Sequence, residues 1–283
     1  MKNYISLMKL RVVELLLVTT VPALFLASNG VPDLSVTIWS LLGGTLAAGG
    51  ANAFNMVIEA ESDLLMKRTA RRPIATGEIS RRSGLIFATA VSLLSLILFY
   101  SFTTKLATLL TFLAITFYVF GYTIALKKHT SQNIVWGGIA GCMPVLIGQA
   151  AVTNALTLTS WFFFFLIFFW TPPHFWALAV RYRDDYAAAG IPMLPVVAPI
   201  KNVITQMWFH SLAMVVFSIL VIWSAELPIW LAGVTLILIA GWKMQLIKLT
   251  RQPTEVNAGK LFQASIVFLS IYSFLLVIGV LLK

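Results

Sequence analysis

Charge is scarce in this chain. Only 11% of its 283 residues are Asp, Glu, Lys or Arg, against about 25% in a soluble globular domain. Acid is scarcer still, with 10 Asp plus Glu against 20 Lys plus Arg. Cysteine is nearly absent. The single Cys142 lies in an apolar segment, which excludes an internal disulfide and a cysteine-built zinc cluster. No cleavable signal is evident, because the first apolar run leads into further ones, and no Arg/Ser-rich presequence is expected. Short-period repeats and low-complexity linkers are missing, so one domain over residues 1–283 is expected. What remains is apolar: 59% hydrophobic residues and a mean hydropathy of +0.91. That composition implies an all-α, polytopic membrane protein.

Runs of about 20 apolar residues, enough to cross a bilayer as helix, fall near 11–28, 36–58, 84–102, 105–125, 134–152, 159–180, 205–224, 227–247 and 261–282. The spacing predicts nine spans, with a tight hairpin joining the third and fourth. With the N-terminus inside, only Lys105 and Lys283 of the 20 basic residues fall outside. The split follows the positive-inside rule at every alternation and places the C-terminus outside. A bacterial cytoplasmic membrane is the expected location, with the lipid bilayer as the first partner. Topology thus accounts for most of the +10 net charge, and nucleic-acid binding is not expected. The excess can also gather an anionic, lipid-tailed substrate at the inner leaflet.

Against this background, the segment Asn55–Gly77 stands out. It carries Glu59, Glu61 and Asp63, then Lys67, Arg68, Arg71 and Arg72. Charge next to lipid is costly and needs a reason. Asn55, Glu59 and Asp63 are spaced by four, which sets them along one helix face, with Glu61 pointing elsewhere. Hard oxygen donors of this kind suit Mg²⁺, held by one or two carboxylates plus substrate phosphates. Arginine forks suit phosphate oxygens. The plainer reading is a solvated helix end paired to Lys67 and Arg68. Pro73 and Gly77 are expected to stop the helix and bend the chain.

A second acidic loop follows the sixth span, with Arg181, Arg183, Asp184, Asp185 and Tyr186. It emerges on the same side, four spans later, which hints at a duplication of four helices plus one. Two facing carboxylate sets could hold metal across one diphosphate. His174 follows Pro172 and Pro173 inside the sixth span, where a break in the helix is expected. It is a haem-ligand, proton-carrier or structural candidate. Glu14 is expected to pair with Arg11, and His129 and His210 to sit at the interface. The run 161–170, WFFFFLIFFW, could line a lipid-tail tunnel or face acyl chains.

Taken together, NMVIEAESDLLMKRTARRPIATGEIS, YTIALKKHTSQNIVWGGIAGCMPVLIGQAAVT and WTPPHFWALAVRYRDDYAAAGIPMLP resemble the UbiA-type intramembrane prenyltransferases. The resemblance runs from about Arg11 to the last span. The segments MKRTARRP, TPPHFWALA and DYAAAGIPMLP are similar to the branch of that family that farnesylates haem. The resemblance implies a helical bundle with a central cavity capped by the two acidic loops. It implies Mg²⁺-dependent transfer of farnesyl from farnesyl diphosphate to a vinyl group of protohaem IX (haem b). It also implies a product acceptor such as haem A synthase or a terminal-oxidase assembly. The family's first motif maps to Asn55, Glu59, Glu61 and Asp63, with Glu at two positions usually Asp. The second maps to Asp185, with Asp184 beside it. Arg181 stands where other branches carry an aspartate, which replaces a metal ligand by a phosphate-binding cation. By the same resemblance Asn55, Glu59, Asp63 and Asp185 are catalytic, and Asp184 joins them as a metal ligand. Lys67, Arg68, Arg71, Arg72 and Arg181 are the diphosphate ligands. A quinone-type aromatic prenyltransferase, a transporter and a non-catalytic haem-binding protein stay open at this point.

Overall fold

A computed structural model of the chain describes residues 2–283, which are helical almost throughout. A short α1 (Lys2–Leu7) ends at Lys9, whose left-handed backbone (φ 51°, ψ 53°) turns the chain into α2 (Leu10–Ser28). Then come α3 (Leu34–Ile58), the one-turn α4 (Ala60–Leu64), α5 (Arg81–Phe102) and α6 (Lys105–Thr116). The last continues as a π-helix over Phe117–Leu126. After it come α7 (Asn133–Thr153), α8 (Leu158–Arg181), the short α9 (Arg183–Ala188) and α10 (Leu194–Val197), α11 (Ile200–Ser224), α12 (Trp230–Arg251) and α13 (Glu255–Leu281). Nine of these, counting α6 with its π extension, are long and apolar enough to cross a membrane.

Polar side chains fix several starts. Asp33, Ser80, Thr104, Thr157 and Thr254 each accept an amide of the first turn, a contribution of about 1 kcal/mol apiece. Thr103 and Thr104 alone link α5 to α6, so the expected tight hairpin is present. The last three spans differ from their apolar runs. α11 begins at Ile200, α12 covers 230–251 and α13 begins at Glu255. Hydropathy marks what lipid touches, whereas backbone hydrogen bonding carries a helix on through polar turns up to a proline or a cap.

The spans form a closed ring. Successive spans pack side by side, and α13 returns to α2. Contacts of α2 with α7 and of α8 with α13 fill the interior. Close approach needs small residues: a Cβ on Gly50 of α3 would collide with Ser92 of α5, and Ser95 donates to the Gly43 carbonyl at 2.7 Å. The neighbour pairs α3–α5, α5–α6 and α6–α7 recur four spans later as α8–α11, α11–α12 and α12–α13, in line with the duplication.

Contacts between ends follow the expected alternation. On one side Thr104 donates to Ala150, and Lys283 reaches Asn29 and the Ala225 carbonyl. On the other, Gln132 reaches Gln206. The double proline does not break α8, which runs through it with both rings buried; the missing amides leave the Phe168 and Phe169 carbonyls free. Phe165 and Phe169 pack on Phe217 of α11, with ring centroids 5.3 and 5.4 Å apart, so part of the aromatic run serves helix packing. Arg11 and Glu14 are both exposed and make no ion pair, because each points outward. His210 is buried beside Trp176 and Phe169, not interfacial.

Candidate active site

The first acidic segment lies at the C-terminal end of α3. That helix stops at Ile58, yet the Glu59 amide bonds the Asn55 carbonyl at 2.9 Å and the Asp63 amide bonds the Glu59 carbonyl at 2.8 Å. The i to i+4 spacing thus survives the α3–α4 junction. Asn55, Glu59 and Asp63 share one face and are 2, 3 and 3% exposed. The solvated-helix-end reading fails on that burial. Glu61 points away, as the spacing implies, and meets Arg81 at 2.8 Å on the surface.

Each of the three buried side chains meets a different cation. Lys9 donates to Asn55 Oδ1 at 2.8 Å. Lys127 donates to Glu59 Oε2 at 2.7 Å. Arg72 Nη1 bonds both oxygens of Asp63, at 2.7 and 2.8 Å. Neither Lys67 nor Arg68 takes part. Local turns explain why: the chain leaves the helix at Leu65, well before Pro73. The Thr69 hydroxyl then bonds the Asp63 carbonyl at 2.9 Å, and the loop returns Arg72 above Asp63.

Burial opposes ionisation of Glu59, but Lys127, Lys9 and Arg72 outweigh it and hold the carboxyl below its usual range. Burial, with the neighbouring Arg72, pushes the Lys9 ammonium well below the ordinary lysine value. The Arg81 pair draws Glu61 down as well.

The second loop contributes differently. Asp184 is exposed, Asp185 half-buried, and neither makes an ion pair. Tyr186, by contrast, is buried with Ile191 and Met193 against Met66 of the first loop. The two loops therefore do face each other, joined by apolar contact. Burial raises the Tyr186 phenol, and the nearby Arg68 pulls it back in part. Arg68 stands 5.9 Å from the Tyr182 ring centre and Arg181 5.5 Å from it. Lys67 and Arg71 are exposed. Among the described residues, no three His, Cys, Asp or Glu side chains gather into one metal cluster. The facing carboxylate sets thus do not merge.

His174 lies apart, between α8 and α13. Its ring stacks between Trp170 and Phe262, with centroids 4.2 and 4.5 Å away. Nδ1 is 2.6 Å from Ser265 Oγ, and that hydroxyl donates to the Phe262 carbonyl at 2.6 Å. These surroundings are those of a hydrogen-bonded structural histidine.

Lys9, Lys127, Tyr118 and Thr123 were not legible as site residues. The two lysines read as topology signals, and Tyr118 and Thr123 as ordinary residues of a span. Tyr118 donates to Asn52 Oδ1, and Asn55 Nδ2 to Thr123 Oγ1, both at 3.3 Å.

This architecture is that of known membrane-embedded proteins. The fold is similar to a solved digeranylgeranylglyceryl phosphate synthase, with a TM-score of 0.80, 17% identity, and 100% of this chain and 99% of that one covered. It is also similar to a UbiA homologue from Archaeoglobus fulgidus bound to DMAPP and Mg²⁺, with a TM-score of 0.73, 18% identity, and 97% and 99% covered. The sequence carries the class further. The UbiA prenyltransferase family profile matches residues 16–274, and this chain belongs to that family. It is 46% identical to the protoheme IX farnesyltransferase of Kineococcus radiotolerans over 258 residues, 90% of this chain and 76% of that one. It is 44% identical to that of Streptomyces avermitilis over 281 residues, 95% and 90% of the two chains.

Proposed function

We propose that this chain is a haem O synthase: it transfers the farnesyl group of farnesyl diphosphate to a vinyl group of protohaem IX, with addition of water, and releases diphosphate. The observation that carries the reading is the buried Asn55–Glu59–Asp63 ladder under three separate cations. Such a site is built for an anion whose charge grows as a bond breaks. The kinship to protoheme IX farnesyltransferases at 44–46% identity names the substrates.

The donor set fits Mg²⁺. It offers two carboxylates and one amide oxygen, and a substrate phosphate completes the shell. When bound, the metal neutralises charge developing on the leaving diphosphate. Asn55, Glu59 and Asp63 would hold it. Lys9, Lys127 and Arg72, which now meet those three side chains, would turn to the phosphate oxygens, joined by Arg68, Arg71, Lys67 and Arg181 from the loops. Asp185, with Asp184 beside it, would reach the same diphosphate from the second loop through bound Mg²⁺. As the C–O bond of the diphosphate breaks, an allylic cation forms that apolar walls shield from water. A haem vinyl carbon attacks it, and water supplies the hydroxyl. His174, bonded to Ser265 and stacked between Trp170 and Phe262, keeps a structural role in this reading.

The site is assigned to the cytoplasmic side, because only Lys105 and Lys283 lie opposite. Reporter fusions after Lys128 and after Lys283 are expected to read opposite sides. The test of function is expression in membranes that lack haem O, followed by chromatography of extracted haems. A farnesylated haem dependent on farnesyl diphosphate is expected. Prenylation of an aromatic acid in place of haem would move the chain to the quinone branch, and no diphosphate release at all would end the enzyme reading.

A further inference from the structure

The π-helix Phe117–Leu126 is long for its kind, since π geometry usually occurs as single-turn bulges, often at functional sites. Its residues meet α3 rung by rung. Tyr118 contacts Asn52, Thr123 contacts Asn55 and Lys127 contacts Glu59. On α3 those positions step by three and then four. On the facing segment they step by five and then four.

An α-helix turns roughly 100° per residue. Asn52, Asn55 and Glu59 then fall within about 60° of one another on α3. In α geometry the facing segment would carry Lys127 about 180° away from Tyr118, toward the far side of the helix. It does not, because the backbone is wound more loosely. The Lys127 amide bonds the Tyr122 carbonyl at 2.9 Å, five residues back, and the Thr123 hydroxyl bonds the Tyr118 carbonyl at 2.9 Å, also five back. The neighbours are fitted to that winding. A Cβ on Gly137 of α7 would collide with the Tyr122 ring, and Asn133 holds the Lys127 carbonyl at 2.9 Å.

We infer that the π-helical register is the positioning device of the site: its two surplus residues turn Thr123 and Lys127 toward Asn55 and Glu59. The inference rests on the haem O synthase reading for what the site does, but not for the register itself. Removing two residues between Tyr118 and Thr123 would let an ordinary α-helix repeat the three-then-four spacing of α3. Removing one would leave Lys127 about 100° out of register.

Two deletions test this: Phe120 alone, which is exposed, and Phe120 with Gly121, whose closest neighbour is the Phe117 ring of the same segment. Farnesylated haem per unit of membrane-inserted protein is measured. The single deletion is expected to lower it about tenfold or more, the scale of losing a buried charged hydrogen bond. The double deletion is expected to recover most of it. A double deletion no better than the single one, or a single deletion at the intact level, overturns the inference. A second measurement needs no activity. In a Cys142→Ser background, Asn55→Cys with Thr123→Cys should cross-link in the full-length chain and in the double deletion, and poorly in the single deletion. Equal cross-linking in all three overturns the register. If cross-linking follows the pattern but the intact protein farnesylates no haem, the functional reading fails and the register stands.

Discussion

The two inner loops answer the same demand in opposite ways. The first buries Glu59 and Asp63 and gives each a countercharge: Arg72 for Asp63 and Lys127 for Glu59. The second leaves Asp184 in solvent and Asp185 half-buried, and buries a tyrosine at the contact instead. A carboxylate can be taken out of water only when a partner and hydrogen bonds replace it. The first loop meets that condition by drawing on two other parts of the chain, Lys9 before α2 and Lys127 after the π-helix, together with its own returning Arg72. The second has no such supply. Metal-holding strength should therefore reside mainly in the first loop, and the second should act as a cover that brings one carboxylate from above.

Substitutions can break or sharpen this contrast. The largest effect belongs to Asp63→Asn, which removes the charge and strands Arg72. Turnover should fall about a hundredfold or more, since each 1.36 kcal/mol is tenfold. The check is haem O formed across a range of Mg²⁺, with membrane-inserted protein quantified alongside; near-normal rates would take the metal–diphosphate role from this loop. Next comes Glu59→Gln. It should cost about ten- to a hundredfold, and Lys127→Met should cost similarly. The double variant should cost less than the product of the two, because the pair acts as a unit. Additive losses would mean that the residues work separately.

Asp185→Asn is placed third, at about tenfold or less, and read mainly at low farnesyl diphosphate. A loss equal to that of Asp63→Asn would erase the contrast between the loops. Smallest are Glu61→Gln and Asp184→Asn. Both acids are exposed, and Glu61 meets Arg81 in solvent, where such pairs add little, so activity and melting temperature should stay near those of the parent.

Acid gives a further test of the first loop. The Glu59 carboxyl is held below its usual range. Its pairing therefore stabilises the fold fully above the unfolded glutamate value of about 4.3 and is lost as pH falls through the lower folded value. Melting temperature in detergent should drop along that limb, and Glu59→Gln should flatten it. An unchanged limb would mean that the pair contributes nothing to stability.

How much of this was legible follows from where the information sits. Spans are local: twenty apolar residues and the basic flanks are enough, so all nine came through. Asn55, Glu59 and Asp63 came through because i to i+4 spacing is local too. Lys127 and Lys9 did not. Each lies in a short basic segment that topology alone explains, and only the ring of spans brings them to Glu59 and Asn55. The winding after Phe117 was equally hidden, since FYVFGYTIAL is apolar whether it turns as α or π. Pro172 and Pro173 misled in the other direction: a break inferred from lost amides was prevented by the packing that buries both rings in α8.

The three cations over two carboxylates have one more consequence, which concerns order. As it stands, Arg72 and Lys127 match the carboxylates of Asp63 and Glu59, with Lys9 beside them on Asn55. A divalent cation arriving alone would have to displace the ammonium and guanidinium groups from their carboxylates. A diphosphate arriving alone would find its cations already engaged. Arriving together, each supplies what the other's entry leaves unpaired, and the exchange is close to neutral. Metal and prenyl diphosphate are therefore expected to enter this site together. By linkage, each must strengthen the hold on the other by the same factor.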